Sequence, residues 1–186
     1  MASVIDVCNR ALDKVGQSPI ISLSDGNKAA NLCDRAWPAV RDKVLRAHKW
    51  NFATKRKILA PLTEAPVWGF AYKHPIPSDC LRLLEINDVP AEQYELESGH
   101  ILTDDAVLRI RYIFRNTDPN TYDSLCIETM ASRLAYELAE PLTQSTQKKQ
   151  ELFVEYEDMM NQAKRIDAQE NPVILFEEDS WITCRR

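Results

Sequence analysis

The sequence predicts a mainly α fold: a four-helix bundle, a small antiparallel β-sheet inserted after the second helix, and an extended C-terminal arm. Three observations predict it. Apolar residues recur at three- and four-residue spacing before residue 50 and again between residues 119 and 170. Between those blocks the spacing changes to two, and five of the ten prolines fall there. After residue 171 neither pattern continues, and the chain finishes on "NPVILFEEDSWITCRR". The boundaries predicted are helices over 1–50, a β-rich insertion over 51–117, helices over 118–170 and an arm over 171–186.

The first helix carries Val4, Ile5, Cys8, Leu12 and Val15 on one face. Ser3 and Asp6 form a capping pair with Asp in place of the usual Glu. Gly16 stops this helix, with Pro19 behind it. The second helix spans about Asn27 to His48, with a stripe of Leu32, Cys33, Ala36, Trp37, Val40 and Val44. Pro38 removes a backbone hydrogen bond inside it, which predicts a kink or break near Trp37.

The insertion begins with Asn51. The Pro-rich stretch up to Pro77 reads as an extended entry to a strand over Leu81 to Ile86. "YELESGHILT" reads as a hairpin turning at Ser98 and Gly99. "VLRIRYIFR" is the cleanest strand: Leu108, Ile110, Tyr112 and Phe114 alternate with a wet side carrying Arg109, Arg111 and Arg115. Helix resumes at Pro119 with Asp118 as its N-cap and breaks at Pro141. The last helix carries Leu152, Phe153, Tyr156, Met160, Ala163 and Ile166 along its apolar stripe.

Composition narrows the function. A hydrophobic fraction of 45% supports a packed core, and only four glycines occur. The net charge of −5 argues against a protein that binds nucleic acid by neutralising phosphates. No run of about eighteen apolar residues predicts a membrane span. The start "MASVIDVCNRALDKVG" lacks the basic and apolar blocks of a secretion signal. Five cysteines without a CxxC pair predict buried free thiols in a reducing compartment.

Catalytic signatures are scarce. His48, His74 and His100 have no second ligand at metal spacing. His48 suits a helix C-terminus, while His74 and His100 read as surface residues. No GxSxG, P-loop or GxGxxG occurs, so no cofactor and no metal are predicted. The acid pairs Asp104–Asp105 and Glu137–Glu140 could serve a hydrolase of cell-wall or surface polysaccharide, the alternative reading. Adjacent acids in a turn more often form the turn, and acids on a helix more often face water. Lys55-Arg56-Lys57 reads as a protected strand edge. Trp50 and Phe52 read as a plug at a helix exit.

Four stretches carry a resemblance: "VIDVCNRALDKVG", "ANLCDRAWPAVRDKVLRAHKWNFATKRKILA", "YKHPIPSDCLRLLEI" and "ETMASRLAYELAEPLTQSTQKKQELFVEYEDMMNQAK". Together they resemble the tail tubular protein A and tail accessory factor family, the head-to-tail adaptors of tailed bacteriophages. The Trp50-Asn51-Phe52 exit and "PSDCLRL" at Pro77 to Leu83 are the most telling parts. The resemblance implies a helical bundle with a β-rich insertion and no catalytic site. It implies a ring of about twelve copies beneath the portal, at the head–tail interface of the virion, assembled in the host cytoplasm. That ring would extend the channel through which genomic DNA slides without specific binding. It would also carry the tail nozzle, tube or fibre proteins.

The resemblance gives the arm an expected role in docking on the portal or on a neighbouring subunit. Val173, Leu175, Phe176, Trp181 and Ile182 would supply its apolar contacts, with the two aromatics as anchors. Arg109, Arg111 and Arg115 are the candidate contacts between subunits. Glu95, Glu97, Ser98, Gly99, Asp104 and Asp105 are candidates for a tail-facing loop, since an acidic channel wall repels phosphates.

Overall fold

The computed structural model describes residues 2–87 and 93–170. The expected arm, with Val173, Leu175, Phe176, Trp181 and Ile182, lies outside the described residues.

Helix α1 spans Val4–Val15 and α2 spans Lys28–Ala47. The Ser3–Asp6 capping box forms in both directions, and Gly16 closes α1 in the left-handed region at φ 80°. Asn27 caps α2 by accepting from Ala30 N. Of the kink or break expected near Trp37, the break does not occur: helix α2 runs unbroken across Pro38. Pro38 and Asp34 are both exposed, so water can satisfy the carbonyl that the proline leaves without a donor.

Asp118 caps a 3-10 turn at Pro119–Thr121, not the long helix expected from that point. Helix α3, Ser124–Thr143, starts afresh from its own N-cap, Asp123. It continues two residues past Pro141 and ends at Gln144 in the left-handed conformation. Helix α4 spans Thr146–Gln169 with Ser145 as its cap. Helix α3 packs against α1, α2 and α4. Met130, Leu134 and Leu138 of α3 are buried in the same core as Leu12, Leu45 and Leu152.

The expectation of a mainly α fold with one small sheet is corrected. The fold is a mixed α+β arrangement with two three-stranded antiparallel sheets. Strands β1 (Thr54–Leu59), β6 (Leu108–Phe114) and β3 (Cys80–Ile86) form one, in the order β1-β6-β3. Strands β2 (Tyr72–Pro75), β5 (His100–Thr103) and β4 (Glu95–Glu97) form the other, in the order β2-β5-β4. One element accounts for the difference, and a second falls where its basic residues predicted a strand edge. The stretch Tyr72–Pro75 pairs with β5 although it looked like a connector, and its proline is the last residue of the strand. The charged stretch Thr54–Leu59 pairs along its whole length with β6 as an edge strand.

The two sheets share a second, smaller core. Leu59, Ile86, Leu108, Ile110 and Tyr112 of the first sheet meet Ile101 of the second. His74 is fully buried, not at the surface as expected. Its Nε2 lies 2.9 Å from the carbonyl of Asp105. Ile113 points the opposite way from Tyr112 and joins the helical core, which ties the β region to the bundle.

Candidate functional site: a cation-lined groove and an exposed tryptophan

The Trp-Asn-Phe exit of α2 has a structural explanation. Trp50 is fully buried and donates its indole N–H to Val44 O at 3.0 Å. Phe52 stacks between Trp50 and Tyr122, with centroid distances of 5.8 and 5.5 Å. Asn51 joins the exit of α2 to the end of α4. Its backbone N–H donates to Asp167 Oδ1 and its Nδ2 donates to Asp167 O, both at 3.0 Å. His48 Nε2 lies 2.9 Å from Asp167 Oδ2, and the imidazole meets Trp50 edge-on. His48 therefore does more than end a helix: it anchors the last turn of α4. These residues build the platform from which β1 departs.

Strand alternation splits the basic cluster at the start of β1. Lys55 lies over the Phe114 ring at 3.6 Å and pairs with Asp79 at 3.6 Å. Arg56 faces the other way, directly opposite Arg111, and Ile58 lies directly opposite Arg109. Glu85 flanks Arg111 from the far side and forms an ion pair with it. Lys49, from the α2 exit, reaches the same carboxylate at 3.8 Å. One acid is thus shared by two cations, with Arg56 and Arg109 beside them.

The groove between these residues encloses about 260 Å3 and is lined by Arg56, Ile58, Glu85, Arg109 and Arg111, among others. Like charges crowd together in it. Burial and the neighbouring Arg56 lower the proton affinity of the Arg111 guanidinium. Burial, Arg111 and Arg56 lower that of Lys49. Like charges directly opposite each other on a sheet destabilise it. The Arg111 Nε is buried and has no acceptor among the described residues. Ile58 is an apolar side chain left 66% exposed at the rim.

Arg115 takes no part in this groove. Its Nε donates to Asp42 Oδ2 on α2 at 2.8 Å, and its backbone N–H donates to Asp79 O. The structure therefore brings Arg109 and Arg111 together and fastens Arg115 to the bundle.

The second sheet carries the acidic residues. Glu95 and Glu97 are exposed on β4, and Ser98 and Gly99 form the turn at φ 47° and 77°. Asp104 and Asp105 hold loops in place. Asp104 Oδ1 accepts from Ala71 N at 2.9 Å, and Asp105 Oδ2 accepts from Asn87 Nδ2 at 2.8 Å. Glu137 binds Lys43 and Arg133, and Glu140 binds Lys149. Burial would raise the Glu137 carboxyl, but Lys43 and Arg133 hold it below its usual range. The acid pairs thus stand on separate elements, one in the β5–β6 turn and one on α3.

The loop from β1 to β2 contains a feature the sequence reading passed over. Val67 is 98% exposed and Trp68 is 83% exposed. Leu62 N donates to Lys73 O at one end of the loop, and Ala71 N donates to Asp104 at the other. The tip is thus held out on two anchored legs. It borders a shallow depression of about 480 Å3 that also takes in Glu64, Lys73, Glu95 and Glu97. The signal available in "APVWGFA" was Pro66 and Gly69 on either side of Trp68, which mark a turn and place the tryptophan at the tip of a loop.

Cys8, Cys33 and Cys126 are buried, Cys80 is half-buried and all four are free thiols. Cys184 lies outside the described residues. Burial pushes the Cys126 thiol well up, which keeps it protonated. Among the described residues no group of three potential metal ligands gathers. No described helix is long and apolar enough to cross a membrane. No family model matches the chain, and no curated protein matches it.

Proposed function

We propose that this chain is a structural head-to-tail adaptor. It forms a ring beneath a phage portal, extends the DNA channel and carries the next tail proteins. The observation that carries the reading is the pair of exposed surfaces on the β region, a cation-lined groove and an outward tryptophan. Surfaces of this kind serve partner proteins. The sequence resemblance over Val4 to Lys164 supplies the identity of those partners: the portal, further copies of this chain, and nozzle, tube or fibre proteins. The exposed acids Glu95 and Glu97 suit a wall that DNA passes without adhering. The segment after Asn171 is the element assigned to portal docking.

The test is direct. The purified protein is mixed with its cognate portal ring and imaged by electron microscopy, beside a version ending at Asn171. A ring under the portal that depends on the last residues is the expected result. A full-length protein that leaves every portal bare refutes the adaptor function.

A further inference from the structure

We propose that Trp68 of one copy seats in the groove between Arg56 and Arg109 of the next copy. This rests on the ring reading and supplies its subunit contact. The groove has the chemistry of an indole receptor. Guanidinium groups line it and present cations to an aromatic face. Ile58, exposed at the rim, gives an apolar wall. The Glu85 carboxylate offers an acceptor to the indole N–H, which seeks a partner whenever it is buried.

Charge matches around the two halves. Trp68 shares its depression with Glu64, Glu95 and Glu97 and one cation, Lys73, so acids outnumber cations there. The groove is bounded by Arg56, Lys57, Arg109 and Arg111. Docking would bring a net negative surface against cations that repel one another, which relieves the like-charge crowding of the groove.

Topology decides the kind of assembly. Arg56 and Arg111 point away from the small β core on the first sheet, since Tyr112 and Ile110 point into it. Lys73, Leu102 and Glu95 point away from it on the second sheet, since Ile101 points into it. The two surfaces are therefore on opposite sides of one rigid two-sheet body. A two-fold pair would need both sides to face the same partner at once. A contact between unlike surfaces repeats head to tail and closes into a ring when the rotation allows.

Two variants of the full-length protein test it by complementation: Trp68→Ala, which lacks the knob, and Arg56→Glu/Arg109→Glu, which lacks the receptor. Mass is measured by sedimentation velocity over rising concentration. Wild type is expected to assemble beyond a dimer. Each variant alone is expected to associate at least about tenfold more weakly. An equimolar mixture retains one good knob and one good receptor, so it should form dimers and stop. Dimer formation also proves that both variants fold. Wild-type protein that stays monomeric to about 1 mM overturns the proposal. So do variants that assemble like wild type, and a mixture that gives no dimers. Portal capture is scored separately. Bare portals with intact self-association sink the adaptor function alone, whereas rings indifferent to Trp68 sink only this contact.

Discussion

Removing Asp167 is expected to cost the fold measurable stability. It is 9% exposed in the last turns of α4, and its carboxylate serves two groups from the α2 exit. Asn51 N–H lies 3.0 Å from Oδ1 and His48 Nε2 lies 2.9 Å from Oδ2. Asp167→Ala removes both and leaves only the backbone contact to Asn51 Nδ2. Hydrogen bonds to a charged group contribute about 1.5–3 kcal/mol each, and the half-buried positions of the partners His48 and Asn51 favour the lower end. The expected loss is therefore about 3 kcal/mol, or roughly 6–12 °C in Tm for a domain of this length. Asp167→Asn keeps an acceptor for Asn51 and should lose only about 1 kcal/mol. Urea unfolding followed by tryptophan fluorescence measures both, because Trp50 packs 4.9 Å from His48. An Asp167→Ala variant within about 0.5 kcal/mol of wild type would refute the latch between helix exit and helix end.

Two further predictions concern the bundle. Glu128 of α3 binds Lys14 at 2.8 Å and Arg10 at 3.1 Å. Burial alone would raise its carboxyl, yet those two partners hold it below its ordinary value of 4.5. A depressed carboxyl stabilises the fold above the unfolded value and loses that contribution as pH falls through the folded value. The stability gap between wild type and Lys14→Met, expected at about 0.2–1 kcal/mol at pH 7, should therefore shrink below pH 4.5. A gap that is constant from pH 7 to pH 3 would contradict the pairing. Pro38→Ala should stabilise the protein by about 1–2 kcal/mol. It restores the α2 hydrogen bond to Asp34 at an exposed site, and the greater freedom of the unfolded chain offsets part of the gain. A lower Tm would mean that the proline shapes α2 to fit α3.

Local chemistry made much of the bundle legible. Ser3 with Asp6, Gly16, Asn27 and the apolar stripes act over one or two helical turns, so their signals are contiguous in sequence. The β region was less legible because its strands are short and pair across long separations. Tyr72–Pro75 becomes a strand only because β5, His100–Thr103, arrives much later in the chain to accept it. His74 looked polar and exposed for the same reason, since its burial depends on that pairing.

The sequence by itself determined that four helices form, where α1 is capped and stopped, that Leu108 to Phe114 is a strand, and that Trp50 plugs a core. These follow from periodicity and capping, which are properties of neighbours along the chain. Only the tertiary structure decided that Arg56 meets Arg109 and Arg111, that Arg115 turns away to Asp42, and that Trp68 is left facing solvent. Register between strands and the balance of burial across a whole surface fix those outcomes, and neither is written in the order of adjacent residues.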